Sequence, residues 1–288
     1  MSSLGSMARR SLAATVGVGT VVGAGVATYA HLVAPYRPRL VPLRVPVPDS
    51  AAHLRRLRIA FVTDTHVGPS FDVERLAAIQ DLVRDARPHL VLFGGDYVSE
   101  SPRFIERAIE RLAGMAALAP HGAYAVLGNH DMSCIPARVE GALSDAGIPV
   151  LRNRAVGLHV LGGPLWIAGI DEALLGKPDP RATFDQIPPG SPTLALWHES
   201  DFAESVARFK PLLQLSGHSH GGQVRLPLVG AVATPVAGKR YVRGLYDVGG
   251  MPLYVSSGIG IYRPPARLMC PPEVTLVTFG EGTKGRKE

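Results

Sequence analysis

From Leu57 onward the chain repeats one pattern: a short apolar run, a polar or glycine-rich turn, then apolar residues at helical spacing. Leu57 to Thr63 reads as a buried strand that ends at Asp64. Asp72 is placed to cap a helix running through about Ala86, with Leu76, Ile79, Leu82 and Val83 on one face. Leu90 to Phe93 is a second buried run, closed by Gly94-Gly95-Asp96, and Pro102 opens a helix carrying Ile105, Ile109 and Leu112. Ala123 to Leu127 is a third run and leads into Gly128-Asn129-His130-Asp131. After Pro136 the rhythm changes. Val156 to Val160 and Trp166 to Ile170 read as neighbouring strands of a second sheet; Thr193 to Trp197 runs into His198, and Leu212 to Leu215 into Gly217-His218-Ser219-His220. The remainder is β-rich, with runs at Tyr241 to Tyr246, Leu253 to Ser256 and Val274 to Phe279. Alternating strands and helices followed by a β-rich half predict an α/β fold, two sheets packed together with helices outside.

The first residues follow another pattern. No Asp, Glu, Lys or Arg lies between Arg10 and Arg37, and Ser11 to Ala30 is about long enough to cross a bilayer as a helix. Its apolar content is mainly alanine and valine, interleaved with glycine and threonine. Residues 1–34 therefore read as a single membrane anchor or an export signal, and Arg9-Arg10 before a weakly apolar core resembles an incomplete twin-arginine signal. Arg9 and Arg10 favour a cytoplasmic N-terminus, whereas Arg37, Arg39 and Arg44 weaken the asymmetry, so the domain is expected either outside the cytoplasm or at its inner face. Residues 35–52 read as a proline-rich linker, 53–281 as the folded domain and 282–288 as a polar tail.

Composition narrows the function classes. With 46% hydrophobic and 19% charged residues the chain is globular. Two cysteines, Cys134 and Cys270, exclude a disulfide framework and any thiolate-built zinc module. The net charge of +6 carries little information about nucleic acid: lysine supplies only 5 of the 30 basic residues, the arginines are scattered, and aromatic residues make up 6%. Nucleic acid is not an expected partner.

The chemistry lies in five polar clusters that each follow an apolar run: Asp64-Thr65-His66, Asp96 behind two glycines, Asn129-His130-Asp131, His198, and His218-Ser219-His220. Ligand-binding residues gather at the carboxyl ends of strands because the loops there converge on one crevice. Five of the ten histidines lie in these clusters. Carboxylate oxygen and neutral imidazole nitrogen suit Mn, Fe or Zn. The two-residue spacing of Asp64 and His66, and of His218 and His220, puts each pair on one side of an extended segment. One ion needs about four to six donors, and this set supplies more. Two divalent ions roughly 3.5–4 Å apart, sharing a carboxylate, account for the surplus, and such a pair generates hydroxide at neutral pH while neutralising phosphate oxygens.

In order and spacing, Asp64-x-His66, Gly94-Gly95-Asp96, Gly128-Asn129-His130-Asp131, His198 and Gly217-His218-Ser219-His220 resemble the calcineurin-like metallophosphoesterase family, from about residue 57 to 222. The resemblance implies a four-layer αββα sandwich of two mixed sheets flanked by helices. It implies that Asp64, His66 and His220 bind one ion, that Asn129, His198 and His218 bind the other, and that Asp96 bridges them. It further implies that His130 orients the phosphate and protonates the leaving oxygen, held by Asp131 or a nearby carboxylate. The expected activity is dimetal-dependent hydrolysis of a phosphodiester or pyrophosphate bond by metal-activated hydroxide. The uncharged N-terminal stretch, the His220-Gly-Gly-Gln-Val-Arg-Leu-Pro continuation and Gly244-Leu-Tyr are similar to a bacterial membrane-associated branch that includes UDP-2,3-diacylglucosamine hydrolases of lipid A synthesis. A lipid-linked phosphate or diphosphate is then the expected substrate; a soluble phosphoester, handled by a general phosphatase or phosphodiesterase, is the alternative, and a non-catalytic scaffold a remote third because no ligand is missing. Arg225, Arg263 and Arg267 are candidate substrate contacts. The apolar segment from Gly221 to Gly238 reads either as a lipid-facing lip or as a plain hairpin.

Overall fold

A computed structural model describes residues 20–99 and 101–280. The Arg9-Arg10 pair, the first part of the uncharged stretch and the polar tail lie outside the described residues. Within them, residues 20–32 form a helix, α1, and no helix is long and apolar enough to cross a membrane.

Two sheets form the centre. The first contains β1 (Arg39–Pro46), β2 (Arg58–Val62), β3 (Leu90–Phe93), β4 (Ala123–Ala125) and the last strand, Glu273–Gly280, in the order β1, Glu273–Gly280, β2, β3, β4. The second contains β5 (Arg154–Val160), β6 (Gly163–Gly169), β7 (Thr193–Leu196), β8 (Leu213–Ser216) and, past the two-stranded ribbon of β9 (Arg225–Leu226) and β10 (Gly230–Ala231), β11 (Gly244–Val248) and β12 (Met251–Val255). Its order is β11, β12, β8, β7, β6, β5. Both sheets are mixed: β2, β3 and β4 run parallel, as do β6, β7, β8 and β12, with antiparallel partners at or near the edges.

The pattern of side chains explains the layering. β2, β3, β7 and β8 are covered on both faces, which is why they appear in the sequence as unbroken apolar runs. Alternate residues nevertheless serve different cores. Ile59, Phe61, Leu90 and Leu92 meet Leu165, Ile167, Leu194 and Leu213 between the sheets. Ala60, Val62, Val91 and Phe93 face α2 (Leu76–Ala86), α3 (Ile105–Ala116) and α5 (Pro136–Asp145). On the far side, Ala168, Ala195 and Val255 pack against Phe184, Ala203 and Val206 of the short helices α6 (Pro180–Phe184) and α7 (Ala203–Ala207). Helices therefore flank two face-to-face mixed sheets. Asp72 caps as expected, its carboxylate accepting from Glu74 N at 3.1 Å.

One expectation is corrected. Residues 39–46 are not a tether: β1 pairs in parallel with the last strand from Arg39↔Glu273 to Pro46↔Gly280 and buries Leu43 and Val45. Its prolines are compatible with a strand that has a neighbour on one side only, and they masked the alternation of Leu43 and Val45. The folded unit thus begins well before residue 53.

Candidate metal centre

Every predicted ligand stands past the C-terminal end of one of the parallel strands. Asp64 follows β2 and Asp96 follows β3; Asn129 opens α4 (Asn129–Cys134) after β4; His198 and His218 follow β7 and β8. Five of these residues, Asp64, His66, Asp96, His218 and His220, take φ values between 44° and 67°, the left-handed region that side chains disfavour. The glycines beside these ligands let the loops approach one another. A Cβ on Gly217 would stand 2.2 Å from Asp64 Oδ2, and one on Gly95, itself at φ +98, 2.6 Å from Gly128 N.

The donors form overlapping groups. Ligand atoms of Asp64, His66 and His220 lie within 4.8 Å of one another, as do those of Asp96, His198 and His218, and those of His66, Asp96 and His130. Asp96 belongs to two groups, and its Oδ2 is 3.3 Å from His66 Nε2 and 3.1 Å from His198 Nε2, the position of a shared carboxylate. Two observations show that the set fits cations. His66 Nε2 and His220 Nε2 face each other at 2.9 Å, and Asn129 Oδ1 is buried with no hydrogen-bond partner. Buried polar atoms in native proteins are almost always satisfied, and a cation satisfies both.

The tautomers agree. His198 Nδ1 donates to the Gly94 carbonyl at 2.6 Å and His218 Nε2 to the Val236 carbonyl at 2.7 Å, which directs the other nitrogen of each ring toward the cluster. His66 Nδ1 sits 2.6 Å from Ser99 Oγ. Burial lowers the pKa of His220, and the neighbouring His66 lowers it further, so the ring is neutral, the ligating form. At Asp96 burial opposes ionisation, but the His198 charge outweighs it and holds the carboxyl well below its usual range.

His130 and Asp131 separate in role. His130 N donates to Asp96 Oδ1 at 2.8 Å, and its half-buried ring packs edge-on against His66 and Tyr262, with centroids 4.7 and 4.5 Å away. Burial lowers its pKa. Asp131, by contrast, is fully buried, and its oxygens accept from backbone: Oδ2 from Asp96 N at 2.7 Å and Gly128 N at 3.0 Å, Oδ1 from Tyr97 N at 2.8 Å. Burial first, then the Asp96 charge, pushes its carboxyl up to about 7. The carboxylate pins the Asp96 loop to the start of α4.

The three arginines also part company. Arg263 lines the cavity of about 600 Å³ that opens on Asp96, Asn129 and His130. Arg225 sits on β9 and donates to the Gly221 carbonyl at 3.0 Å. Arg267 is not a substrate contact: it is completely buried, and its guanidinium donates to the carbonyls of Ser257, Gly258, Gly260 and Cys270. The segment past His220 is a hairpin, β9–β10, and it also carries exposed apolar residues. Tyr262 and Ser99, neither apparent from the sequence, and Gln223 of the continuation past His220 complete the surroundings; Gln223 holds the Tyr262 loop through Tyr262 N at 2.8 Å and the Tyr262 and Pro264 carbonyls.

Comparison with known proteins gives one family. A family model described as calcineurin-like phosphoesterase matches residues 57–222, the stretch that holds every ligand above. "Uncharacterized metallophosphoesterase YkuE" of Bacillus subtilis (strain 168) is 32% identical over 224 residues, covering 77% of this chain and 78% of its own. "Phosphodiesterase YaeI" of Escherichia coli (strain K12) is 34% identical over 239 residues, covering 80% and 83%. "UDP-2,3-diacylglucosamine pyrophosphatase LpxG" of Chlamydia trachomatis serovar D is 24% identical over 326 residues, covering 93% and 97%. Among solved structures, TT1561 of Thermus thermophilus has a TM-score of 0.50, with 70% of this chain and 90% of that one covered at 13% identity, a likeness of fold.

Proposed function

The chain belongs to the calcineurin-like phosphoesterase family and is a metal-dependent phosphoester hydrolase, and from that premise we propose that it cleaves a phosphodiester or pyrophosphate bond in a lipid-linked substrate, of which an acylated nucleotide sugar such as UDP-2,3-diacylglucosamine is the model. One observation carries the substrate class: the cavity over Asp96, Asn129 and His130 is walled by Leu174, Val224, Val232 and Val236. A polar floor beside an apolar wall suits a molecule with a phosphate at one end and hydrocarbon near it. The name of the Chlamydia trachomatis relative points the same way, at low identity.

Asp64, His66 and His220 would hold one cation, Asn129, His198 and His218 the second, with Asp96 between them. When bound, the ions supply Lewis acidity toward the phosphate oxygens and a nucleophile from water at neutral pH. The protein supplies the rest. The Gly94 and Val236 carbonyls fix the His198 and His218 tautomers. Asp131 holds Asp96 and Asn129 in register through the backbone. His130, at the cavity floor, is neutral in the free protein because burial lowers its pKa; an arriving phosphate anion raises it, and the proton it then carries passes to the leaving oxygen. Arg263 at the cavity wall supplies a second positive group.

The metals are Mn, Fe or Zn by donor chemistry. The uncharged stretch from Ser11, preceded by Arg9-Arg10, tethers the enzyme to a membrane, with the catalytic domain either exported or at the cytoplasmic face. Fractionation of a tagged chain, with protease added to intact cells, decides the side.

The name of the Escherichia coli relative supports a second reading, a phosphodiesterase of soluble esters. Incubating the purified protein with Mn and detergent against a panel of lipid-linked and soluble phosphates separates the two. A strong preference for the acylated nucleotide sugar is expected; equal or better turnover of soluble esters, independent of detergent and of residues 1–50, rejects the lipid-linked substrate.

A further inference from the structure

Beside the cavity the surface is apolar in a way few soluble proteins tolerate. Leu228, at the tip of the β9–β10 hairpin, is fully exposed, and Val229 is 70% exposed. Val232 and Val236, at 57% and 67%, belong both to this surface and to the cavity wall. Leu175, at 58%, follows Leu174 of the same wall, and Met269, at 57%, follows the segment bonded to the hairpin root. Single exposed apolar side chains need no explanation; a row of them continuous with a binding site does.

Charge singles out what this rim meets. Between Glu204 and Asp247, and again between Asp247 and Glu273, there is no acidic residue. The same two stretches carry Arg225, Lys239, Arg240, Arg243 and Arg263, of which Lys239, Arg240 and Arg263 are exposed. Arg240 is ion-paired with Glu204, and the Asp201 carboxylate accepts from Lys239 N and Arg240 N, so the positive side chains of this rim are Lys239 and Arg263. Apolar tips beside such cations complement an anionic bilayer, where hydrocarbon lies just beneath negative headgroups.

The connection of α1 gives the rim a direction. Arg267 N donates to the Ala30 carbonyl at 2.8 Å near the end of α1, and the next residue bonds the hairpin: Leu268 N to the Gln223 carbonyl at 2.9 Å, Arg225 N to the Leu268 carbonyl at 3.0 Å. The helix end and the hairpin root are thus attached to consecutive residues, with α-carbons about 3.8 Å apart. Val21, Val22, Val26, Tyr29 and Leu32 of α1 are exposed as well, and the uncharged sequence continues back to Ser11.

We propose that the β9–β10 hairpin, with Leu228 and Val229 at its tip, is a docking surface for an anionic lipid bilayer and seats the mouth of the active-site cavity on the headgroups. A substrate whose hydrocarbon stays in the bilayer then reaches the site along Val232 and Val236. The surface itself does not depend on the substrate proposed above; only the transfer along the valines rests on that reading.

The test uses the full chain carrying Leu228→Trp, with Leu161→Trp as control, because Leu161 is exposed in the β5–β6 turn at the other end of the strands from the site. Each is mixed with vesicles of phosphatidylglycerol and phosphatidylcholine whose acyl chains carry bromine, and the signal of the parent, from Trp166 and Trp197, is subtracted. Fluorescence of the tryptophan at 228 is expected to fall roughly twofold while that at 161 is unchanged, and replacing phosphatidylglycerol by more phosphatidylcholine weakens the quenching. Equal quenching at the two positions overturns the proposal, and so does a tryptophan at 228 shielded by self-association of the chain in sedimentation velocity. In a second arm, the double variant Leu228→Asp, Val229→Asp retains turnover of a soluble chromogenic phosphodiester and loses about tenfold on a phosphoester embedded in the vesicles. A parent that is quenched at 228 yet cleaves no embedded ester leaves the docking surface standing and rejects the lipid-linked substrate.

Discussion

Replacing Asp131 by asparagine separates a positioning role from a chemical one. In the native protein Oδ2 accepts from Asp96 N and Gly128 N, and Oδ1 accepts from Tyr97 N. An asparagine has one oxygen. Set toward Asp96 and Gly128, it keeps two bonds but turns its amide on the Tyr97 N–H, so two donors face each other in a site without solvent. A buried donor left unsatisfied costs about 1–3 kcal/mol, and above pH 7, where Asp131 is ionised, each remaining bond weakens by about 1 kcal/mol when its acceptor is no longer charged. Lower desolvation of a neutral group returns part of this, for a net loss of about 2–4 kcal/mol. At about 2–4 °C per kcal/mol for a chain of this size, the melting temperature falls by roughly 5–15 °C. The loss is to be measured in chelator-stripped protein, where no ion contributes, beside kcat on a soluble phosphodiester with Mn. A fall in kcat of about 10-fold or more is expected, as for other groups that orient ligands, with the shape of the pH profile unchanged. An unaltered melting temperature, together with lost activity and a displaced pH profile, would show that Asp131 acts on the His130 ring, and the backbone argument would be wrong.

Four further outcomes are expected. Asp96→Asn reduces Mn-supported hydrolysis of a chromogenic phosphodiester by more than about 100-fold and lowers the metal content found by elemental analysis; full turnover by this variant removes the shared-carboxylate role. Dialysis against chelator abolishes activity and Mn restores it, with metal at a hundred times its Kd raising stability by about 2.7 kcal/mol in denaturant melts; a protein that retains no transition metal after reconstitution ends the hydrolase reading. Arg267→Met strands four buried carbonyls and costs about 3 kcal/mol or more in a urea melt, while KM for a soluble ester stays unchanged in the folded fraction; a raised KM at unaltered stability returns Arg267 to the substrate. Burial opposes ionisation of Asp171, but the Arg152 bond at 2.8 Å outweighs it and holds the pKa below the usual value; this stabilisation is full above the ordinary carboxylate range and is lost as pH falls through the depressed value, so the gap in urea midpoint between the parent and Arg152→Met closes on acidification, and a gap constant with pH refutes it.

How much was legible in the sequence follows from where the information sits. Asp64, Asp96, Asn129, His198 and His218 each end an apolar run, and a strand buried on both faces writes itself as such a run, so both the central strands and the residues at their tips could be read. β1 could not: with a neighbour on one side and two prolines, its alternation is carried by Leu43 and Val45 alone. The groups that orient the ligands were hidden for another reason. Gly94 and Val236 act through carbonyls that every residue has, and Ser99 reaches His66 across 33 positions, so nothing local marks them. Arg267 was misread because a charged residue near a phosphate site suggests an anion contact, whereas burial among four carbonyls is visible only in three dimensions.

The left-handed residues bear on what builds the site. Five ligands in that region store roughly 1–2 kcal/mol each, a cost that the surroundings must offset. The bonds that offset it run between ligand loops: Asp64 N to Gly95 O at 2.9 Å, His66 N to Asp96 O at 3.0 Å, Gly217 N to His198 O at 3.0 Å and Gly260 N to Asp64 O at 2.7 Å. Side chains add two more, His218 N to Asp64 Oδ1 at 3.0 Å and His130 N to Asp96 Oδ1 at 2.8 Å. Each carboxylate that would meet a cation thus also holds the backbone of another ligand or of the proposed proton donor. The strain is met by protein–protein bonds. Substitutions at the ligands should therefore perturb neighbouring loops as well as metal affinity: in metal-free protein, Asp64→Ala, which removes the acceptor of the backbone N–H at 218, should speed hydrogen exchange of that amide, whereas His218→Ala keeps the N–H and its acceptor. An exchange rate at 218 unchanged by Asp64→Ala would show that the loops are held independently of that carboxylate.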